Sequence, residues 1–261
     1  MHNFELRTPK TLTDAVAALS SGDALPLSGG QTLLPTMKQR LADPGALVSL
    51  TGIPELQGVD EGDGGIIIGG ATPHAVVARD AAKYYPGLAA LAGQIGDPAV
   101  RNRGTIGGSI ANNDPSACYP AAVLGSGATI VTDRHEFAAD DYFRGMFETA
   151  LREGEIITAV KFPVPQKAAY AKFLQPASRF AMVGVFVAKF ADGVRVAITG
   201  ASNNGVFRWA EAEAALSENF STEALAGLSL PDDDMIADLH GSAEYRAHLC
   251  CVMTKRAVMA A

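Results

Sequence analysis

The chain has 261 residues, 48% of them hydrophobic, and a formal net charge of −7. It is long enough for one large domain or two modest ones, and its acidic balance disfavours nucleic acid as the main partner because phosphate binding needs a basic surface. With no apolar run of about 18 residues and no apolar N-terminal segment, we expect no transmembrane helix, no secretory signal and a cytoplasmic location.

The cysteines and histidines do not form a metal-binding pattern. The three cysteines are Cys118, Cys250 and Cys251, and the five histidines are scattered without a CxxC, HxH or HExxH motif. Metal sites need several convergent ligands, and an iron–sulfur cluster typically needs about four cysteines. We therefore expect no metal or cluster in this chain.

Strands and helices alternate in the first half of the chain. Thr11 to Asp14 resembles a capping box and predicts a helix at about 12–20. Thr72-Pro73 reads as an N-cap and first helical residue for a helix that ends before Pro86. The other predicted elements are strands at 24–27, 46–50, 66–68, 128–132 and 156–162, helices after residue 33, at 88–94 and near 120–124, a turn at 60–65 and a long loop at 95–108.

The pattern changes after Pro163-Val164-Pro165, which predicts a domain boundary. Three consecutive strands are expected at 169–174, 182–190 and 194–201, and Asp192-Gly193 is a strong hairpin signal between the last two. Helices are expected at 209–216, 222–225 and about 242–259. From these patterns alone the fold class is α+β, with two domains.

Two glycine-rich segments are candidates for phosphate binding. The first runs from Leu27 to Pro35 and the second from Arg103 to Ser109, and both combine glycines with hydroxyl residues. Glycine lets a backbone approach a phosphate closely, and successive N–H groups can form an anion nest. Gly-Gly pairs also serve ordinary tight turns, and neither segment matches GxGxxG or Walker A, so generic Rossmann and P-loop sites are disfavoured.

These segments carry a resemblance to a known family. SGGQTLLPTMKQRL and IGDPAVRNRGTIGGSIANNDP resemble the two FAD motifs of the medium subunits of molybdenum hydroxylases, the carbon monoxide dehydrogenase and xanthine dehydrogenase type. The similarity continues through EIITAVKFP and PASRFAMVGVFVAKF. The order and spacing of the motifs match the family over nearly the whole chain.

The resemblance implies a particular α+β architecture. A vanillyl-alcohol-oxidase-type FAD-binding domain would cover residues 1–165, with two α/β subdomains at about 1–57 and 58–165. Residues 166–261 would form a C-terminal flavoprotein domain with a three-stranded antiparallel sheet and a helical bundle.

The resemblance also implies which residues bind the cofactor. The pyrophosphate would lie between the two glycine-rich segments, Ile95 and Gly96 would reach the flavin, and the backbone of Ile157 would contact adenine. Asp114 could accept a hydrogen bond from a cofactor hydroxyl, and Phe180 could lie over the flavin ring. The full set is Ser28, Gly29, Gly30, Gln31, Thr32, Leu33, Ile95, Gly96, Thr105, Ile106, Gly107, Gly108, Ser109, Asp114, Cys118, Ile157, Lys172 and Phe180.

Several of these assignments have alternatives. Cys118 stands where relatives commonly have Asp or Glu, and a thiol is a weak hydrogen-bond partner. Gln175 competes with Lys172 for one family position, and the sequence favours a core position for Phe180 over one above the flavin. Arg101 and Arg103 could offset phosphate charge or face solvent. His74, which lies early in a helix, is interpreted as structural.

Neither FAD motif contains the His, Cys or Tyr that a covalent link to the flavin usually needs, so we expect noncovalent FAD. The family's activity implies no catalytic residues in this chain. A large subunit would carry the molybdenum cofactor, a small subunit would carry two [2Fe–2S] clusters, and electrons would leave FAD for quinone, NAD or oxygen. The expected assembly is a dimer of heterotrimers. The alternatives are a self-contained flavin oxidase or dehydrogenase, and a cofactor-free scaffold subunit.

Overall fold

A computed structural model of the protein describes residues 1–20, 22–62 and 64–261. The first sheet is parallel, with three strands in the order β1 (Glu5–Arg7), β3 (Ala46–Ser49) and β2 (Ala24–Leu27), and helix α1 (Leu12–Leu19) lies between β1 and β2 in the sequence. Thr11 Oγ1 accepts a hydrogen bond from Asp14 N at 3.1 Å, which confirms the capping interaction. The elements are β1 (Glu5–Arg7), α1 (Leu12–Leu19), β2 (Ala24–Leu27), α2 (Leu33–Lys38) and β3 (Ala46–Ser49).

A second, antiparallel sheet has five strands in the order β4 (59–62), β5 (65–69), β10 (157–163), β6 (129–132) and β7 (136–138). Five helices connect β5 to β6, and those at Ile106–Asn112 and Tyr119–Ser126 pack against this sheet. The five strands are β4 (Val59–Gly62), β5 (Gly65–Gly69), β6 (Thr129–Thr132), β7 (Glu136–Ala138) and β10 (Ile157–Pro163), and β8 (Phe143–Gly145) and β9 (Glu148–Thr149) form a separate two-stranded hairpin. The helices are α3 (His74–Asp80), α4 (Pro86–Gly93), α5 (Pro98–Arg101), α6 (Ile106–Asn112), α7 (Tyr119–Ser126) and α8 (Ala139–Tyr142), with 3-10 turns at Pro54–Leu56 and Ala81–Lys83.

Three predictions for this region are wrong in detail. Val59–Gly62 is a strand rather than part of a turn, because it pairs with β5; Asp63, in the same predicted turn, lies outside the described residues. Thr72 does not cap α3, since its hydroxyl exchanges hydrogen bonds with the backbone of Gly58, and Pro73 is the N-cap residue. The predicted loop at 95–108 contains α5 and the start of α6.

The C-terminal sheet has four antiparallel strands instead of the predicted three. The extra strand, β14, has only two adjacent apolar residues, Val206 and Phe207, which is too short for a period-2 pattern. The Asp192-Gly193 hairpin is present, with Phe190 N donating to Gly193 O at 2.8 Å. The elements are β11 (Lys167–Leu174), β12 (Ala181–Lys189), β13 (Val194–Ser202), β14 (Gly205–Arg208), α9 (Ala210–Glu218), a 3-10 turn (Glu223–Leu225) and α10 (Ala243–Ala260).

Strand β12 is buried on both faces, and each face belongs to a different core. Val183, Val185 and Val187 pack with residues of α9 and α10. Phe186 and Ala188 point the other way, as alternation along a strand requires, and pack in the core that contains α7 and the five-stranded sheet. The predicted helical bundle therefore consists of two helices and a 3-10 turn, which lie on one face of the C-terminal sheet. The other face of that sheet packs against α7 and the five-stranded sheet.

The predicted subdomain boundary at about residue 57 lies between the first two sheets, because the last strand of the first sheet ends at Ser49 and the first strand of the second begins at Val59. The exact boundaries at residues 57 and 165 stay predictions. None of the helices in the described ranges has the length and apolar character needed to cross a bilayer.

Candidate functional site

A cavity of about 690 Å³ lies where the glycine-rich segments meet. Its volume is in the range of small-molecule and cofactor sites. All the predicted cofactor-binding residues except Ile106 line it: Ser28, Gly29, Gly30, Gln31, Thr32, Leu33, Ile95, Gly96, Thr105, Gly107, Gly108, Ser109, Asp114, Cys118, Ile157, Lys172 and Phe180. Ile106 is fully buried in the core, because the first residue of α6 faces the interior and its N–H donates to Thr72 O.

The first glycine-rich segment presents a row of free backbone donors. In the described part of the chain, no hydrogen bond uses the N–H groups from Gly29 to Thr32 as donors. Gly30 has φ +71°, in the left-handed region that suits glycine. Gly29 lies so close to the second segment that an added Cβ would clash with Arg103 O. The first segment is therefore shaped to offer several N–H groups to an anion.

The second segment contributes hydroxyls and space. Most of its N–H groups are already used: for example, Gly107 donates to Gly70 O at 2.9 Å, and Gly108 donates to Thr105 Oγ1 at 3.2 Å, which caps α6. The hydroxyls of Ser28 and Thr105 are 2.7 Å apart and link the two segments. An added Cβ at Gly108 would meet only Thr105 Oγ1 at 3.1 Å and Ser28 Cβ at 3.9 Å. The sequence predicted that both segments could bind phosphate, and the structure shows that they offer different donors.

The loop at Ile95 and Gly96 is fixed from two sides. The Arg101 guanidinium donates to Ile95 O at 2.9 Å and to Gly96 O at 3.1 Å. Lys172 Nζ donates to Gln94 O at 3.0 Å, which joins strand β11 to the end of α4. Arg101 therefore holds the cavity wall rather than facing solvent. Arg103 is exposed.

The opposite wall contains Asp114 and Cys118. Asp114 Oδ1 accepts a hydrogen bond from Ser116 N at 2.8 Å, and burial, which outweighs this bond, raises the pKa of the Asp114 carboxyl. Cys118 is 5% exposed and is the residue before α7. Burial, and then the neighbouring Cys118, raises the pKa of Tyr170 well above its usual range. Cys118 thus belongs to an apolar, tyrosine-lined part of the wall.

Phe180 lies at the rim of the cavity and is not a core residue, since 49% of its surface is exposed. It ends a tight turn in which Gln175 N donates to Phe180 O at 2.8 Å and Arg179 N donates to Gln175 O at 2.7 Å. Arg179 has φ +62°. Gln175 shapes this turn, whereas Lys172 lines the cavity.

Two residues of the cavity wall, His74 and Glu155, are not in the predicted set of cofactor-binding residues. His74 lines the cavity and is 5% exposed, and burial, followed by the charge of Arg101, lowers its pKa to about 4. Burial of Glu155 opposes its ionisation, but hydrogen bonds from His135, Arg152 N and Thr132 prevail and lower its pKa. No motif marks either residue, and only their positions in the fold reveal them.

The charged residues of the described cavity wall are few and balanced. Lys172 and Arg179 are the basic side chains, and Asp114 and Glu155 are the acidic ones. An anion in this cavity would be held by backbone dipoles and hydroxyls more than by cations. In the described ranges, no group of three or more His, Cys, Asp or Glu side chains could hold a metal ion.

Residues 2–165 match the family described as FAD binding domain in molybdopterin dehydrogenase. The whole chain is similar to the carbon monoxide dehydrogenase medium chain of Afipia carboxidovorans, with 35% identity over 98% of this chain and 96% of the relative. It is also similar to the nicotine 6-hydroxylase medium subunit of Paenarthrobacter nicotinovorans, with 32% identity over 97% of this chain and 95% of the relative. The solved structure of reconstituted CO dehydrogenase from Oligotropha carboxidovorans superposes with a TM-score of 0.88 and 32% identity, over 99% of this chain and 97% of that one.

The fold and the cavity thus define an FAD-binding subunit of an oxidoreductase. The chain belongs to the family of FAD-binding domains of molybdopterin dehydrogenases. The cavity suits this cofactor, because it is lined by the segment Gly29 to Thr32, whose N–H groups donate to no atom of the described chain, and by Gly108, which has no side chain.

Proposed function

We propose that this chain is the electron-transferring flavoprotein subunit of a heteromeric molybdenum hydroxylase. The observation that carries the proposal is the cavity itself, which gathers almost the complete set of predicted FAD-binding residues around one space. FAD supplies the redox chemistry, because a flavin can exchange electrons singly or in pairs. The chain's own residues bind and orient the cofactor.

Each part of the cavity wall has a proposed role. The N–H groups from Gly29 to Thr32, with the hydroxyls of Ser28 and Ser109, hold the pyrophosphate. Ile95 and Gly96 border the flavin, and Lys172 keeps their loop in place through Gln94 O. Phe180 covers the open rim. Asp114 lies on the wall with Oδ1 bonded to Ser116 N, where it is available to a cofactor hydroxyl.

The metals of the reaction are proposed to lie on other subunits. A [2Fe–2S] cluster typically needs about four cysteine ligands, and this chain has three cysteines. The relatives are named as a medium chain and a medium subunit. A large subunit with the molybdenum cofactor would oxidise the substrate, and a small subunit with two [2Fe–2S] clusters would pass electrons to FAD. We further propose a dimer of heterotrimers that delivers electrons to quinone, NAD or oxygen. The cytoplasmic location stays a prediction.

Anaerobic absorption spectroscopy of the flavin band tests this proposal. The isolated chain should keep its oxidised flavin with any small organic substrate, because substrate oxidation occurs on another subunit. Dithionite should bleach it, and so should substrate once the two partner subunits are added. Denaturation should release intact FAD into the supernatant, since binding is proposed to be noncovalent.

Two results would contradict the proposal. Rapid bleaching of the isolated chain by substrate would identify a self-contained oxidase or dehydrogenase. A purified chain that neither contains nor takes up FAD would identify a cofactor-free scaffold.

A further inference from the structure

Arg101 is a half-buried cation beside the cofactor cavity. Among the residues that the structure describes, no ion pair joins it to a carboxylate. Its guanidinium instead donates to two backbone carbonyls, Ile95 O at 2.9 Å and Gly96 O at 3.1 Å. Removing a charge from water is costly unless an opposite charge offsets it. Within the described chain, the positive charge of Arg101 is therefore only partly compensated.

The guanidinium lies directly behind the cavity wall, because the two residues whose carbonyls it binds, Ile95 and Gly96, line the cavity. Gly96 has φ +51°, and a Cβ there would lie 2.9 Å from the Val100 side chain, so this loop packs closely on the helix that carries Arg101. The charge also acts on a second wall residue. Burial, and then the charge of Arg101, lowers the pKa of His74 to about 4.

The hydrogen bonds from Arg101 also fix the direction of two peptide groups. In a planar trans peptide the N–H points opposite to the carbonyl, and the described chain contains no cis peptide. The N–H groups of Gly96 and Asp97 therefore point away from the guanidinium. Neither group donates a hydrogen bond within the described residues. The positive ends of these two peptide dipoles thus add to the field of Arg101 on the far side of the loop.

The flavin ring is the part of FAD whose charge changes in the proposed reaction. Reduction adds two electrons, which the [2Fe–2S] clusters of the proposed small subunit would supply singly. When one proton accompanies them, a ring that was neutral gains a negative charge. The pyrophosphate keeps its charge in both states. A fixed positive charge near the ring therefore stabilises the reduced form more than the oxidised form.

We infer that Arg101 is a positioning residue whose charge raises the reduction potential of the bound flavin. The inference rests on the proposed function, in which Ile95 and Gly96 border the flavin. Arg101 acts through the orientation of this loop and through its electric field, without contact with the cofactor. Arg179 also lines the cavity, but its side chain is exposed, so solvent and salt screen its charge more strongly.

Spectroelectrochemical titration of the full-length chain with bound FAD measures this potential. Arg101→Gln removes the charge, so the affinity for reduced FAD should fall about tenfold more than the affinity for oxidised FAD. For a two-electron couple, that tenfold ratio lowers the potential by about 30 mV. Arg101→Lys keeps the charge without the forked geometry of the guanidinium, and it should change the ratio less than about twofold.

Arg144→Gln is the matched control, because it makes the same change in net charge. Arg144 is exposed on β8, does not line the cavity, and its side chain makes no hydrogen bond within the described structure. Its substitution should leave the potential unchanged. Fluorescence titration of each FAD-free variant with oxidised FAD supplies the second measurement, and the two together give the affinity for the reduced form.

The two affinities distinguish the possible roles of Arg101. Equal losses for oxidised and reduced FAD in Arg101→Gln, or no binding of oxidised FAD, would show that Arg101 holds the loop or offsets phosphate charge, and would overturn the inference. If Arg101→Gln does not fold, the lysine variant decides: an unchanged ratio supports the inference, and a tenfold drop overturns it. These results leave the proposed function intact, whereas a wild-type chain that binds no FAD would refute both proposals.

Discussion

Gly108 is the residue whose lack of a side chain is most directly connected with the cofactor. Its φ is not in the left-handed region, and a Cβ there would meet only Thr105 Oγ1 at 3.1 Å and Ser28 Cβ at 3.9 Å. Gly108→Val should therefore leave the fold largely intact while filling space proposed for a phosphate oxygen. We expect flavin content near zero, measured as the ratio of flavin to protein absorbance, with a circular dichroism spectrum like that of the wild type.

Gly93 provides the control for this substitution. It lies in α4, does not line the cavity, and has no heavy atom within 4 Å of an added Cβ. Gly93→Val should keep full flavin content. Gly30 is a poorer test, because its φ of +71° means that any larger residue would also strain the backbone. Normal flavin content in Gly108→Val would show that the phosphates lie elsewhere.

The residues that the sequence identified belong to local motifs, and those that it missed do not. The segments around Gly29 and Gly108 each combine glycines and hydroxyls within a few positions, so their chemistry is visible in the sequence. His74 is a single histidine after a proline, and its place on the wall depends on the approach of Gly104, which is 30 positions away in the sequence. Ile106 was predicted as a site residue because it lies inside a motif, but its side chain is buried in the core and does not line the cavity.

At the scale of elements, Asn113 connects helix α6 to the hairpin of β8 and β9. It ends the helix in the left-handed conformation, with φ 44°, and its Nδ2 donates to Gly145 O at 2.8 Å and to Glu148 O at 2.9 Å. Asn113→Ala removes both bonds and places alanine in an unfavourable conformation. We expect the free energy of unfolding in urea to fall by about 3 kcal/mol.

The Asn113→Gly variant separates the loss of the two hydrogen bonds from the strain of the left-handed backbone conformation. Glycine tolerates the left-handed conformation but cannot bond the hairpin, so its loss of stability should be smaller than that of alanine by about 1 kcal/mol. Asn204→Ala, at an exposed turn whose side chain makes no hydrogen bond in the described structure, should change stability by less than about 0.5 kcal/mol. Equal losses in the alanine and glycine variants of Asn113 would mean that the backbone conformation contributes nothing.

The spacing of apolar residues in the sequence predicted the longer helices and strands well, whereas contacts with distant residues determine β4 and the start of α3. Helix α10 and strands β12 and β13 repeat apolar residues over nine or more positions, and each was found close to its expected bounds. Strand β4 contains Asp60, Glu61 and Gly62, which read as a turn, and it forms because β5 pairs with it. Threonine is a common N-cap residue, but the hydroxyl of Thr72 forms hydrogen bonds with the backbone N–H and carbonyl of Gly58 instead.

At the scale of the whole molecule, the C-terminal sheet forms part of the cofactor site. It holds the wall segment from Asp114 to Cys118 through Thr199 and Gly200 of β13, since Gly200 N donates to Pro115 O at 2.7 Å. It also supplies Lys172 and Phe180 to the cavity. The sequence predicted a boundary near Pro165 but could not show this contact, because it joins residues more than 80 positions apart.

The last prediction follows from this contact. Thr199 is fully buried, and its hydroxyl lies 2.8 Å from both Pro115 O and Ala117 O. Thr199→Val keeps the shape of the side chain but leaves these carbonyls without that donor, so the unfolding free energy should fall by about 1–2 kcal/mol. The wall at Asp114 should loosen as well, and FAD affinity should fall several-fold in fluorescence titration.

Thr254→Val is the matched control. Thr254 is equally buried, but its hydroxyl donates to Cys250 O within α10, away from the cavity. Its substitution should cost a similar or smaller free energy of unfolding and leave FAD affinity unchanged. If the two variants lose stability alike and both bind FAD like the wild type, the C-terminal sheet supports the fold without shaping the site. A selective loss of affinity in Thr199→Val would show that cofactor binding depends on the contact between the two halves of the chain.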